Sequence, residues 1–137
     1  MDPNDPVYPS NLSAALYELA NYAECVKAVL RAWTIIKPHL PHKADLIVRL
    51  SIRLGKALCN GVRGGAISST TLEEDGPLIH DLEASSAMIL SQNINPTSLT
   101  ELAQVWREWK RIERLNPEAS VEALRKFSQL QILTPPL

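Results

Sequence analysis

The sequence predicts an all-α fold, and three observations carry that expectation. Apolar residues recur at helical spacing in run after run, and no stretch alternates polar with apolar as a half-buried strand does. Aromatics make up only 5% of a chain that is 45% apolar, so its core is aliphatic and small, which suits helices better than a β-sandwich. Asp5-Pro6, Pro38, Pro41, Asn60-Gly61 and "NINPTS" punctuate the periodic runs as helix starts and stops. At 137 residues the chain suits one domain, or one domain with an appendage.

The first helix begins between Pro6 and Asn11, with Asp5-Pro6 as its N-cap and first helical residue, and ends near Ala20. Leu12, Ala15, Leu16 and Leu19 are its expected inner face. A second helix follows at once, with Tyr22, Cys25, Val26, Val29, Trp33 and Ile36 inward, and so short a turn makes the pair antiparallel. Pro38 and Pro41 stop it and start a third helix, whose face is Ala44, Ile47, Leu50, Leu54 and Leu58 and whose end is Asn60-Gly61.

Residues 61–76 hold four of the five glycines and the polar run "AISSTTLEEDG", so they read as a Gly-rich acidic linker between residues 1–60 and a C-terminal helical segment, 77–137. In that segment a short helix capped by Asp75 spans Pro77 to Leu90. A firmer one follows from Leu99 to Leu115, with Ser98 and Glu101 as a capping box and Leu99, Leu102, Val105, Trp106, Trp109, Ile112 and Leu115 on one face. Asn116-Pro117-Glu118 opens a last helix, and "LTPPL" is not helical.

The segment "NLSAALYELANYAECVKAVLRAW" has Ala20-Asn21-Tyr22 at its turn, a small Cys25 three residues on and Ala32 seven further. In these features it resembles a tetratricopeptide repeat. The leading "DPNDP" fits the Asp-Pro that closes a preceding repeat of roughly 34 residues. In "RLSIRLGKAL", Gly55 and Ala57 match the family's close-packing positions, about eight residues later than an unbroken repeat puts them. The same segments, with "KFSQL", also look like part of larger fungal proteins in which a short repeat array precedes a further domain. The resemblance implies antiparallel hairpins whose small residues (Ser13, Ala14, Ala15, Cys25, Ala28) let helices stack closely, and a surface that binds other proteins.

Few residues suggest chemistry. His39, His42 and His80 share no metal-ligand spacing with Cys25 or Cys59, and the cysteines sit in apolar runs where thiols stay neutral. No catalytic group, metal or cofactor is expected. A net charge of -1 gives no reason to expect nucleic acid or an anionic membrane as partner, and no apolar run approaches a membrane span. The N-terminus lacks a signal peptide's basic start and apolar core, and two unpaired cysteines fit a reducing compartment, so a soluble cytoplasmic protein is expected.

The exception is a stripe on the third helix. Arg49, Arg53, Lys56, Asn60 and Arg63 fall at i, i+4, i+7, i+11 and i+14, on one face. By itself such a stripe is as well explained as a solvated surface. The resemblance adds a functional reading, because repeats of this family that bind acidic C-terminal peptides clamp carboxylates with an Asn on one first helix and a Lys and an Arg on the next. Asn11 matches that Asn, Arg49 and Arg53 match the Lys and Arg, and Lys56 extends the set. Arg in place of Lys turns a point charge into a planar fork, and the family's second Lys and Asn have no counterpart here. The acidic run Glu73-Glu74-Asp75 is an expected internal competitor for the stripe. The expected function is a non-catalytic protein-binding module for a protein or acidic peptide. A regulatory fragment of a larger enzyme and a homodimer that buries its open repeat face are the alternatives.

Overall fold

The computed structural model describes residues 5–39, 44–92 and 96–115, which form five α-helices and no strand. They are α1 (Val7–Glu18), α2 (Tyr22–Ile36), α3 (Ala44–Arg63), α4 (Ser69–Gln92) and α5 (Pro96–Leu115), with one 3-10 turn, Lys37–His39, after α2. The expected all-α class holds. Pro41 and the helix expected after Asn116 lie outside the described residues.

Asp5 caps α1 by accepting the Val7 amide at 2.9 Å. At the other end, Asn21 N donates to the Leu16 carbonyl and Ala20 N to the Tyr17 carbonyl, both at 2.9 Å, closing a Schellman motif. Ala20 therefore holds φ at 57°, a left-handed conformation in which its Cβ crowds the backbone. The α3 terminus uses the same motif, Ala66 N to the Gly61 carbonyl and Gly65 N to the Val62 carbonyl, but puts Gly65 at the left-handed position.

Three of the sequence expectations change here. The stretch 61–76 is no linker: α3 runs through Gly61 to Arg63, a short turn follows, and α4 starts at Ser69, with Ser68 accepting the Thr71 amide at 3.3 Å. Ile67, Leu72, Ile79, Leu82 and Leu90 are buried, so the polar run is the outer surface of a packed helix. Pro77 sits inside α4 on its exposed side, where it removes one helical N–H donor. Ser98 lies within the first turn of α5, which starts at Pro96, so it is not an N-cap. On α1 the buried residues are Pro9, Ser10 and Ser13, while Ala15 and Leu19 are exposed. The small polar face of α1 lies inward and is hydrogen-bonded to α3, while Leu16 and Tyr17 pack partly against the core.

The helices form two layers, with α3 packed against each of the other four. Arg53 reaches Ser10, and Asn60 reaches Tyr17, so α1 and α3 run parallel at an offset of 43 residues. Lys56 with Glu101 and Arg63 with Glu108 align α3 with α5, both 45 residues apart. In the second layer Lys27 with Asp75 and Trp33 with Asp81 align α2 with α4, both 48 apart. Helices that lie side by side in one layer are thus offset by 43 to 48 residues. That is longer than the roughly 34-residue period that the tetratricopeptide resemblance implies.

Two contacts set the spacing around α3. A Cβ on Gly55 falls on the Val105 side chain, with Trp106 Cε2 at 3.7 Å, so only glycine allows α5 this close. A buried hydrogen-bond chain joins three helices. Trp106 Nε1 donates to Ser51 Oγ at 3.0 Å, Ser51 and Ser86 hydroxyls lie 2.8 Å apart, and Ser86 donates to the Glu83 carbonyl at 2.9 Å. The Ser86 proton is spent on Glu83, so Ser51 is the donor between the two hydroxyls.

Two stability measurements follow from these positions. Ala20→Gly relieves left-handed strain and raises the denaturation midpoint, by up to about 1 kcal/mol once the added chain entropy is deducted. Gly55→Ala destabilises by about 1–3 kcal/mol, and adding Val105→Ala recovers part of that loss; additive effects in the double variant rule out the close contact as the cause.

Candidate functional site

The first layer is concave along the outer face of α3, with α1 as one wall and α5 as the other. Two adjoining cavities lie there and share Lys56. One, about 260 Å³, is bounded by Tyr17 and Glu18 of α1, by Arg49, Ile52, Arg53 and Lys56 of α3 and by Glu101 of α5. The other, about 230 Å³, lies further along α3 among Cys59, Asn60 and Arg63, facing Gln104, Val105 and Glu108.

The expected stripe does line this groove, but its members are not equally free. Arg53 is half-buried and donates to Ser13 Oγ at 2.8 Å and to the Ser10 carbonyl at 3.2 Å. Ser13 Oγ in turn donates to the Ser10 carbonyl at 2.7 Å, and Cys25 Sγ donates to the Ser13 carbonyl at 3.3 Å. Arg53 therefore fastens α1 to α3. Burial lowers its pKa from the usual value, the Cys25 sulfur works against that, and the like charge of Arg49 adds to it.

Lys56 pairs with Glu101 at 2.8 Å, Arg63 pairs with Glu108, and Asn60 Nδ2 donates to the Tyr17 hydroxyl at 3.2 Å. Arg49 is exposed, and no carboxylate among the described residues pairs with it or with Arg53. Asn11 is exposed on α1, seven residues before Glu18 on the same face, and does not bound the cavity. The groove thus brings Arg49, Arg53 and Lys56 together and leaves Asn11 at its margin. The acidic run is elsewhere, on α4 in the second layer, where Asp75 binds Lys27 at 2.7 Å. It is not a competitor for the stripe.

Sequence reasoning did not single out Ser10 or Glu108, and it read Ser13 only as a small packing residue and Glu101 only as part of a capping box. Glu101 and Glu108 carry a signal in retrospect: they are seven apart, as are Lys56 and Arg63, and matched spacing pairs charges between parallel helices.

Both cysteines are free and buried. Burial pushes the Cys25 thiol up to about 11 against a weaker pull from Arg53, and it raises Cys59 as well. Trp106 and Trp109 are core residues, and no cluster of metal-ligating groups occurs among the described residues. No helix among them is long and apolar enough to cross a membrane. The chain matches no family model, no curated protein and no solved structure.

A raised thiol pKa has a sign. The Cys25 contribution to stability is present below the unfolded thiol value near 9 and is lost as pH rises through about 11. Thermal unfolding of wild type and Cys25→Ala should therefore show a difference that narrows between pH 8.5 and 11; a constant difference means that the thiol ionises equally in both states.

Proposed function

We propose that this chain is a non-catalytic helical-repeat scaffold, of the kind the tetratricopeptide resemblance implies, and that it binds an acidic peptide in the groove between α1, α3 and α5. The observation that carries the reading is a pair of guanidinium groups, Arg49 and Arg53, one helical turn apart in a groove and without a carboxylate partner among the described residues. Two like charges at i and i+4 weaken a helix, and a bound anion removes that cost. The other polar groups of the groove are the ion-paired Lys56, Arg63, Glu101 and Glu108, the Glu18 carboxylate, the Tyr17 hydroxyl and two amides, which suit recognition more than proton transfer at neutral pH. Two free, buried thiols fit a reducing compartment such as the cytoplasm.

Arg53 also holds α1, so its removal mixes binding with stability; Arg49 is the cleaner probe. In a titration at low salt, short peptides with acidic residues bind in the micromolar to millimolar range, and added salt weakens them because Arg49 is exposed. Arg49→Ala lowers affinity about tenfold with no change in helicity. Equal binding by wild type and Arg49→Ala, or no binding by either, removes the acidic-peptide reading.

One observation favours a second reading, self-association. On α1, the edge helix of the first layer, Tyr8 is 46% and Leu19 76% exposed. Stacked repeats cover each other's open faces, and a second copy is one such cover. Mass measurement in solution separates the two readings, since a monomer at micromolar concentration eliminates this one.

A further inference from the structure

The larger of the two cavities is bounded by charges of both signs that do not meet. Arg49 and Arg53 come from α3, whereas Glu18, the last residue of α1, comes from the wall beside it. Glu18 is exposed and forms no ion pair among the described residues. The other two charges of the lining, Lys56 and Glu101, neutralise each other at 2.8 Å. The unpaired charges each stand where the fold disfavours them. α1 has no basic residue in its last turn, and Glu18 puts a carboxylate at the carbonyl end of the helix, where a cation is favoured. Arg49 and Arg53 are like charges one turn apart on α3. A ligand that carries an anion and a cation a short distance apart relieves both.

On the footing of the acidic-peptide reading above, we infer that the segment bound in this cavity carries a basic residue directly beside its acidic one. An extended chain sends successive side chains to opposite sides. A chain lying between the two walls therefore turns its carboxylate to Arg49 and Arg53 and its neighbouring cation to Glu18. Residues two apart point the same way and do not meet both walls. Arg49 and Arg53 hold the acidic residue, and Glu18 is the specificity-determining residue: it rewards the basic neighbour and repels a second acid in that place.

The probes are six-residue peptides of alanine and serine, blocked at both termini, that carry a single glutamate, glutamate directly next to lysine in either order, or glutamate and lysine with one residue between them. Affinities are read at low salt by NMR titration. Wild type binds at least one of the adjacent pairs about three- to fivefold tighter than the single glutamate, while the spaced pair gains less than about twofold. In Glu18→Gln the adjacent pair loses this advantage, and the single-glutamate peptide binds tighter because a like charge has gone. That gain is the opposite of what a loss of fold produces. The inference is overturned if wild type gains nothing from an adjacent lysine, if the spaced pair gains as much as the adjacent one, or if Glu18→Gln keeps the preference. In each of those cases a single-glutamate peptide that binds, and binds more weakly to Arg49→Ala, leaves the acidic-peptide reading standing. If no glutamate-bearing peptide binds, that reading fails and this inference with it.

Discussion

The close approach of α5 to α3 at Gly55 is the constraint on which the rest depends. Any side chain there meets Val105, and pushing α5 outward also moves Trp106 off Ser51 and Glu101 and Glu108 off Lys56 and Arg63. Each of those groups costs free energy if left without its partner, most of all the buried indole N–H and serine hydroxyls. One missing Cβ thus sets both the packing of the third helix of the first layer and the charge pattern of the groove.

α1 is attached by different means. Its fully buried residues are Pro9, Ser10 and Ser13; Leu16 and Tyr17 pack partly against the core beside α2, and the half-buried Arg53, with the hydroxyl and carbonyl it binds, ties the helix to α3. A guanidinium suits that task because its planar fork presents several donors in fixed directions and stays charged when partly desolvated. The same group faces the groove. Arg53 is therefore both a fastening and, with Arg49, one of two groove cations without a carboxylate ion pair among the described residues, which couples the position of α1 to the cavity that both arginines line.

The acidic and basic residues that looked like one stripe and one competing run separate into two layers. Lys27 and Lys37 of the second layer and its 3-10 turn meet Asp75 and Asp81 of α4, while Lys56 and Arg63 of the first layer meet Glu101 and Glu108 of α5. The charge polarisation along the chain thus becomes a set of ion pairs between neighbouring helices of each layer. Exposed pairs of this kind contribute little stability singly, but they favour one register of helix on helix over a register slipped by a turn.

By itself the sequence determined the all-α class, the hairpin of α1 and α2, the face of α3 and the burial of Trp106 and Trp109, because each rests on local periodicity, turn residues and side-chain size. It also put Arg49, Arg53 and Lys56 on one face, since a helix's period does that alone. Only the tertiary structure decided that 61–63 and 69–76 belong to packed helices joined by a short turn, because burial of Ile67 and Leu72 outweighs the glycines, the proline and the polar run that read locally as a loop. It alone decided that α1 turns its serines inward, since Arg53 lies 40 residues from Ser13. Which cations of the stripe stay free was likewise beyond local reading, because that depends on carboxylates 45 residues away, brought alongside by the parallel packing of α5 on α3.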